Sequence, residues 1–586
     1  MCLSEGRIRE LIFHIQTLSI GTAHPTMFVP GAVAALAALA IGVQARGPFL
    51  QTVNDTTHVI GNDLWNVTIG LQYGVKLYYK NKDLVANAVG HYVSYNGAAS
   101  DLKWTSVEVY KKTREYLDVK FTAAEGDFHW VIFEDLAGAY QYFVNHALPT
   151  LGEFRTLWRL DNTTFPNGRT NIKDAPLPPL SAILSSTKVQ DETWQLADGT
   201  YITKYDFAAW VRDQDYYGVY GDEFGSWYIN PGKDYYNGNH LKQELMVHRE
   251  SSSGDAVQLN MLHGTHFQVS SADVFPDGKL WGPWLWYLND GSKSDAAARA
   301  RKEFSSWPYK WLDDATYQTR GSVSGQLVLS DGRTAAGASV FLGDNHPNQT
   351  SLDMGSDYYY TTQADSRGRF TFQNVRAGDY GLQAWSDGGQ IADVSTTLLE
   401  NDVTVKKGQR TQLGKVSWTI SLRQKIFQLG DFDRKSLGFQ YGGAPHQHAL
   451  VDNCPANLTY TVGTNKTSDW CFGQASAGTW SIRFLVDETT AGTAGILTVS
   501  LAGYSSGTTS RILLNGDSDR PIGNLTTLPN DPCLYRSATT AGEWRILEFD
   551  IPQGRLQEGW NTVDVQVIKS SRWHGFMWDS IILEKA

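Results

Sequence analysis

Short runs in which apolar and polar residues alternate are the feature of this sequence that most restricts its fold. They begin near Gly47 and continue to about Asp314, in stretches such as HVIGNDLWNVTIG, SVEVYKK and YLDVKFTAA. A period of two places successive side chains on opposite faces of a strand, and the Gly, Asn and Asp residues between the runs supply turns. We therefore predict a large antiparallel β-sandwich over this part of the chain.

Two changes in sequence pattern divide the rest of the chain. From about Tyr317, strand-like runs alternate with Asp-Gly, Arg-Gly and Ala-Gly turns, which predicts a fibronectin-like or immunoglobulin-like sandwich. A third segment opens near Lys425, and we expect its apolar last run to pair with its first, as in a jelly-roll carbohydrate-binding domain. The predicted divisions are an N-terminal extension with a signal peptide at 1–45, the large sandwich at 46–316, the fibronectin-like domain at 317–422 and the jelly-roll domain at 423–586.

One helix interrupts the predicted β-structure. The segment Ser292–Ser306 is rich in alanine and ends just before Trp307 and Pro308. Alanine favours a helix and proline ends one, so we predict a helix that closes the large sandwich.

The N-terminus resembles an export signal. From Met27 the chain is apolar and rich in small residues as far as Ala45, where Val43-Gln44-Ala45 fits a cleavage site. This run is too short and too rich in alanine for a membrane span. Sequons for N-glycosylation follow it, and we predict a secreted, extracellular glycoprotein. The seven sequons are at Asn54, Asn66, Asn162, Asn348, Asn457, Asn465 and Asn524.

The cysteines of the mature chain are few. Cys2 precedes the cleavage site, which leaves Cys454, Cys471 and Cys533. Cys454 and Cys471 are close in sequence and are predicted to form a disulfide, which leaves Cys533 over. No spacing of cysteine and histidine suggests zinc.

The charge of the chain restricts its partners. A net charge of −11 argues against a nucleic-acid partner, which would require a basic surface. An anionic substrate must then be bound by local positive charge. Asp431 and Asp433 in GDFDRK could hold a structural Ca²⁺, although acids of a solvated turn are the simpler interpretation. We predict a monomer with no membrane partner.

Local positive charge is concentrated between residues 151 and 267. Arg155 and Arg159 lie in LGEFRTLWRL, Lys204 in YITKYDFAAW and His266 in MLHGTHF. Arginine binds carboxylates in a forked geometry, lysine and histidine transfer protons, and aromatic faces stack on sugar rings. This combination favours an acidic polysaccharide as the ligand. The aromatic residues between these groups are Tyr216, Tyr217, Tyr220, Trp227, Tyr228, Tyr235 and Tyr236.

The order and spacing of several pieces of sequence resemble fungal rhamnogalacturonan lyases of polysaccharide lyase family 4. The pieces are GNDLWNVTIG, LGEFRTLWRLD, TKYDFA, GVYGDEFGSWYINPG, GTHF, WPYKWL and FMWDSIILE. They span essentially all of the chain after the signal. The resemblance implies cleavage of the rhamnose–galacturonate backbone of pectin, rhamnogalacturonan I, by β-elimination and without a catalytic metal or other cofactor.

The resemblance also implies a pair of catalytic residues. The family's lysine matches Lys204 and its histidine best matches His266, with His263 as the competing choice. Tyrosines that precede the histidine in some members are replaced here by residues 258–261, QLNM. We expect catalysis to be confined to residues 47–315.

Substrate-binding residues follow from the same resemblance. Arg155 and Arg159 match the family's substrate-binding arginines, and we expect Tyr205, Trp227 and His263 to contact the sugar as well. A guanidinium on the uronate carboxylate makes the C5 proton more acidic. Without the resemblance, the two arginines would be read as the polar face of one strand.

Two other function classes remain open. A glycoside hydrolase needs two carboxyl groups flanking the bond, and the candidates are Asp222 with Glu223, or Asp213 with Asp215. Adjacent acids on a strand point to opposite faces, which disfavours the first pair. The other class is a secreted sugar-binding protein without catalytic activity.

Overall fold

The computed structural model describes residues 47–95, 102–236, 243–264, 266, 274–345, 358–444, 448–525 and 528–586. The predicted signal segment and the sequon at Asn348 lie outside these residues. Within them the chain is mainly β-structure, as the alternating pattern predicts. None of the helices in these ranges is long and apolar enough to cross a membrane.

The N-terminal part of the chain contains 23 strands within the described residues. They are β1 (Phe49–Asn54), β2 (Thr57–Gly61), β3 (Trp65–Ile69), β4 (Gly74–Tyr79), β5 (Lys82–Asp83), β6 (Gly90–Tyr95), β7 (Ser106–Lys112), β8 (Tyr116–Thr122), β9 (Gly126–Phe133), β10 (Gly138–Asn145), β11 (Phe154–Leu160), β12 (Asn167–Arg169), β13 (Asp174–Pro176), β14 (Thr187–Gln190), β15 (Thr193–Gln195), β16 (Tyr201–Thr203), β17 (Ala208–Trp210), β18 (Tyr217–Tyr220), β19 (Gly225–Ile229), β20 (Gln243–Leu245), β21 (Val247–Arg249), β22 (Ala256–His263) and β23 (Leu280–Asn289).

Two nine-stranded sheets form the predicted large sandwich. The first sheet has the order β1-β2-β3-β4-β6-β11-β22-β21, with β5 beside β4, and the second has the order β13-β12-β18-β19-β23-β10-β9-β8-β7. Aromatic side chains, among them Trp65, Trp130, Trp158 and Trp286, fill the space between the sheets. Two small sheets, β14-β15-β16 and β17-β20, lie in the connections. The antiparallel sandwich predicted from the sequence is therefore confirmed.

Helices are short and few in the described residues. The α-helices are α1 (Leu180–Leu184), α2 (Lys293–Ser306) and α3 (Ala315–Gln318), and 3₁₀ helices occupy Lys204–Phe207, Gly389–Ile391, Leu450–Asn453 and Thr467–Asp469. Helix α2 confirms the helix predicted at 292–306. Ser292 caps this helix by accepting a hydrogen bond from the backbone N–H of Asp295. Its buried residues, Ala296, Ala300 and Glu303, face the second sheet.

A smaller sandwich follows the large one. Its strands are β24 (Arg320–Leu329), β25 (Ser339–Asp344), β26 (Tyr360–Gln363), β27 (Arg369–Arg376), β28 (Gly378–Trp385), β29 (Leu398–Val405) and β30 (Arg410–Trp418). They form the sheets β27-β24-β30 and β26-β25-β28-β29 around a separate apolar core.

The C-terminal domain is a third β-sandwich. Its strands are β31 (Lys425–Leu429), β32 (Leu458–Thr461), β33 (Gly473–Gln474), β34 (Gly478–Val486), β35 (Gly495–Ser505), β36 (Thr509–Leu514), β37 (Arg545–Ile551), β38 (Gly559–Lys569) and β39 (Gly575–Lys585). The last strand, β39, pairs with the first, β31, as the sequence predicts. The predicted disulfide between Cys454 and Cys471 is present and closes a loop over a separation of 17 residues. In the chain-entropy model such a loop is worth about 3 kcal/mol.

The C-terminal domain packs on the outer face of the first sheet. Leu157 of β11 and Leu259 of β22 belong to the same apolar cluster as the core of the C-terminal domain. Tyr201 packs edge-on against Trp573 at 5.4 Å between ring centroids, and the hydroxyl of Thr193 lies 2.7 Å from Nε2 of His448. The outer face of the first sheet is therefore partly covered, and the candidate site lies at the edge of this cover.

Candidate active site

Strand β11 presents both predicted arginines on one face of the first sheet. Phe154, Trp158 and Leu160 point into the sandwich, so Arg155 and Arg159 point outward. Both arginines keep a part of their side chains exposed, 16% and 19%. The alternation of this strand therefore explains why residues four apart in sequence share a surface.

Each arginine is already paired with acidic residues. Nη1 of Arg155 lies 2.6 Å from Oε1 of Glu153. Arg159 donates to Glu250 and lies 3.7 Å from Asp255. The surface thus holds alternating charges, and the arginines are fixed in place before any ligand binds.

Lys204 begins the 3₁₀ helix that follows β16. Thr203 caps this helix by accepting a hydrogen bond from the backbone of Tyr205, and the backbone N–H of Lys204 donates to the carbonyl of Glu192 at 3.0 Å. Burial lowers the pKa of the Lys204 ammonium, Glu250 and Glu192 oppose this change, and Arg155 adds to it. Among the described residues no carboxylate forms an ion pair with Lys204. A lysine with a lowered pKa can give or take a proton near neutral pH.

Gly264 follows the end of β22 and precedes His266 by two residues. Gly264 has φ of +81°, and a Cβ there would lie 2.2 Å from the carbonyl oxygen of Gly152. Only glycine fits this close approach. His266 lies beside the start of β11, where it contacts Arg155.

His266 contacts residues from several different elements. Its Nε2 lies 3.3 Å from Nη1 of Arg155, and its Nδ1 lies 2.6 Å from Oε1 of Glu244. Burial lowers the pKa of His266 to about 3, Glu153 opposes this change, and Arg155, Arg536 and Lys204 add to it. Lys204, His266 and Arg155, which were named from the sequence, therefore lie close enough to affect one another's charge.

Arg536 reaches this cluster from the C-terminal domain. Its Nε donates to Asp191 at 2.8 Å, and its Nη1 donates to the carbonyl oxygen of His266. Its guanidinium also lies 5.0 Å from the ring centroid of Tyr205. The candidate cluster thus includes a residue of the C-terminal domain, although Lys204 and His266, the predicted catalytic residues, both lie within 47–315.

The residues of this cluster are suited to acid–base chemistry on an anionic sugar. Three cationic side chains, Arg155, Arg536 and Lys204, surround one histidine. In the described residues no group of three or more His, Cys, Asp or Glu side chains is placed to hold a metal ion. At the turn considered for Ca²⁺, Asp431 accepts from the backbone of Gly389 at 3.3 Å, whereas Asp433 is buried against Asp579.

Comparison with known proteins places the chain in a family. It is 31% identical over 581 residues to the rhamnogalacturonate lyase of Dickeya dadantii strain 3937, and the match covers 92% of this chain and 95% of that protein. The chain belongs to polysaccharide lyase family 4. Residues 319–413 match domain II of this family and residues 425–583 match domain III, which confirms the predicted fibronectin-like and carbohydrate-binding-like domains.

Fungal members of polysaccharide lyase family 4 are more distant. The chain is 25% identical to a probable rhamnogalacturonate lyase B of Aspergillus niger, over 81% of this chain and 76% of that protein. It is 24% identical to rhamnogalacturonate lyase B of Emericella nidulans, over 88% of this chain and 93% of that protein.

Three further residues predicted to contact the sugar are buried in this family 4 chain. Trp227 is fully buried on the outer face of the second sheet, where its Nε1 donates to Asn289. His263 is also fully buried and packs edge-on against Phe275. Tyr205 is 2% exposed and donates its hydroxyl to Asp191. The first two have no exposed face for stacking on a sugar, and Tyr205 lies beneath Arg536.

Most of the aromatic residues between 216 and 236 are core residues. Strand β19 is buried at every position, because Tyr228 packs between the two sheets and Trp227 and Ile229 pack on the outer face of the second sheet. Tyr220 is partly exposed, but it stacks on Trp227 and donates to Asp174. The large number of aromatic residues in this segment therefore reflects a second sheet that is packed on both of its faces.

The acidic pairs considered for a hydrolase do not converge on the cluster. Asp222 and Glu223 lie in an exposed turn between β18 and β19. Asp213 pairs with Arg212, and Asp215 pairs with Arg169. No second candidate function is therefore drawn from them.

Several members of the site cannot be recognised from the sequence. Glu244, Glu250 and Asp191 were not singled out, because isolated acids carry no local signal. Glu250 comes directly after β21, which ends at Arg249. An acid at the end of a strand is a weak sequence signal for a site residue. Arg536 lies 270 residues from His266, so only the packing of the C-terminal domain reveals it.

Proposed function

We propose that this family 4 chain is a rhamnogalacturonan lyase that acts on the rhamnose–galacturonate backbone of pectin. Full-length similarity to a rhamnogalacturonate lyase supports the substrate class. The observation that carries the mechanism is the contact of Arg155, at the start of β11, with His266, together with a lysine, Lys204, near enough to affect the charge of both.

β-Elimination makes three demands on these side chains. The uronate carboxylate must be neutralised, a base must remove the C5 proton, and the departing O4 must gain a proton. Arg155 supplies a fixed positive charge that does not exchange protons. Lys204 and His266 supply two groups that can exchange them. We propose these two residues as the proton-transfer pair and Arg155, with Arg159 beside it, as the uronate-binding residues.

Binding of the substrate should change the charge around His266. In the unliganded site Arg155 donates to Nε2 of the ring and, with Lys204 and Arg536, disfavours its protonation. A uronate carboxylate on Arg155 would remove part of this repulsion and release Nε2 for the sugar. The same event would therefore position the substrate and prepare the histidine.

The reaction class is tested by the product. Incubation of the purified chain with rhamnogalacturonan should give a new non-reducing end with an unsaturated uronate, followed by its ultraviolet absorbance. Addition of a chelator should leave the rate nearly unchanged. New reducing ends without this absorbance would indicate a hydrolase, and an unchanged polymer would indicate a binding protein.

We also propose that the chain is a secreted glycoprotein. The apolar segment that ends at Ala45 motivates this proposal, and sequons at Asn54, Asn457 and Asn524 have exposed asparagines. N-terminal sequencing of material from the culture medium should begin near Arg46, and an endoglycosidase should lower the apparent mass. Recovery of residues 1–45 in secreted material would contradict the cleavage site.

A further inference from the structure

Glu244 is a buried acid that the reaction outlined above does not use. It is fully buried on β20, where it is paired with Ala209 of β17. Its Oε1 lies 2.6 Å from Nδ1 of His266 and accepts from the backbone of Leu245 at 2.8 Å. Its Oε2 accepts from the backbone N–H of His266 at 3.2 Å. Buried carboxylates are kept only where such donors stabilise them.

These contacts determine which ring nitrogen of His266 carries the proton. A guanidinium can donate hydrogen bonds but cannot accept them. The contact between Arg155 and Nε2 therefore requires a lone pair on Nε2. The proton of the neutral ring must then lie on Nδ1, where the Glu244 carboxylate accepts it. Both neighbours thus favour the same tautomer.

Glu244 also links His266 to Lys204 through the backbone. Strand β17 begins immediately after the 3₁₀ helix Lys204–Phe207, and β17 is the partner of β20. The 3₁₀ helix that begins at Lys204 therefore leads directly into the ladder that carries Glu244. This connection restrains the backbone that carries Lys204 relative to the carboxylate that contacts His266.

We propose that Glu244 is the positioning residue of His266, and that it holds the Nδ1–H tautomer so that Nε2 is the atom that exchanges a proton with the sugar. This inference rests on the proposed lyase reaction and adds the tautomer and the residue that sets it. One proton moves at Nε2, Nδ1–H stays bonded to the carboxylate, and Glu244 remains ionised.

Replacement of Glu244 by glutamine separates this role from simple stability. The backbone N–H groups of Leu245 and His266 and Nδ1–H all donate toward the carboxylate. In one orientation the NH₂ group of glutamine faces Nδ1–H and disfavours that tautomer, and in the other it faces the backbone N–H of His266 and weakens the hold on that residue. We expect kcat to fall by roughly 10²-fold or more, as when a triad histidine is held in the wrong tautomer. KM should change little, because Arg155 and Arg159 remain.

The pH profile of kcat gives a second readout. Without the negative charge at residue 244, the cations around the His266 ring disfavour its protonation more strongly. The His266 limb of the profile should therefore move to lower pH, whereas Glu244→Asp, which keeps the charge, should restore much of the rate and the original limb. The charged and titratable groups that face His266 are Glu153, Arg155, Lys204, Glu244, His248 and Arg536.

The tautomer of the His266 ring can also be measured in the wild-type chain. This measurement tests the proposal even if the variants fail to fold. In ¹⁵N-histidine spectra of the wild-type chain, the His266 signal is assigned by its absence from His266→Ala. We expect the Nδ1–H form, and the Nε2–H form would overturn the proposal. Glu223→Gln, at an exposed position, is the matched control and should behave as wild type.

The outcomes distinguish this inference from the lyase function itself. If wild type gives no unsaturated product, the proposed function fails. If wild type gives that product and Glu244→Gln keeps both kcat and the original limb, the function stands and the role of Glu244 is overturned. A lowered melting temperature with an unmoved limb would likewise reduce Glu244 to a structural residue.

Discussion

Replacement of Lys204 by alanine should lower turnover by a factor on the order of 10² to 10⁴, the usual worth of general acid–base assistance. Lys204 is half-buried and desolvation lowers the pKa of its ammonium, so the lost group is one adapted to proton transfer. Substrate affinity should be nearly kept, because Arg155 and Arg159 are held by Glu153 and Glu250 and not by Lys204. Initial rates of the ultraviolet absorbance increase measure the effect.

An exposed lysine provides the control for this experiment. Lys111 lies on β7 and pairs with Asp313 at the surface of the large sandwich, and Lys111→Ala should turn over at the wild-type rate. His266→Ala should lose activity to a similar degree as Lys204→Ala. Full activity in Lys204→Ala, or a loss confined to His263→Ala, would move the proposed site.

Replacement of Asp234 by alanine should destabilise the protein by about 3–5 kcal/mol, the cost of leaving a buried charge without its partner. Asp234 is buried and accepts from Arg320 at 2.9 Å and from Arg376 at 3.0 Å. It joins the large sandwich to the smaller one, since its backbone carbonyl also accepts from Tyr359. Without the carboxylate, two buried guanidiniums face each other. A lower midpoint in thermal or chemical denaturation measures the effect.

The pH dependence of this ion pair has a definite sign. Burial opposes ionisation, but Arg376 and Arg320 hold the pKa of Asp234 below its ordinary value. A carboxyl whose pKa is lowered by folding stabilises the protein above its unfolded pKa, and this stability is lost as the pH falls through the folded value. The difference between wild type and Asp234→Ala should therefore narrow in acid. Asp135→Ala, at an exposed position, should match wild type, and an equal midpoint for Asp234→Ala would contradict this account.

The parts of the fold that the sequence predicts are those with a local cause. Alternation along β11 predicts that Arg155 and Arg159 share a face, and the alanine-rich segment before Pro308 predicts α2. The disulfide follows from two cysteines close in sequence. Each depends on residues that are neighbours along the chain.

The parts that the sequence does not predict depend on distant packing. Trp227 was read as a sugar platform, yet both faces of its sheet are covered, one by the first sheet and the other by α2. Periodicity alone does not distinguish a strand covered on both faces from one that borders a groove. Glu244 and Arg536 contact His266 only because β20 and the C-terminal domain pack beside it. Neither contact has a signal in the local sequence.

The contact of Arg536 bears on how such an enzyme can be shortened or recombined. Domain boundaries drawn from sequence similarity suggest that the large sandwich could be used alone as a compact catalyst. In this molecule, however, the C-terminal domain supplies the guanidinium that joins Asp191 to the backbone of His266. An exchange of C-terminal domains between relatives would therefore also exchange a residue that holds the backbone of His266. The large sandwich and the C-terminal sandwich should therefore be transferred together.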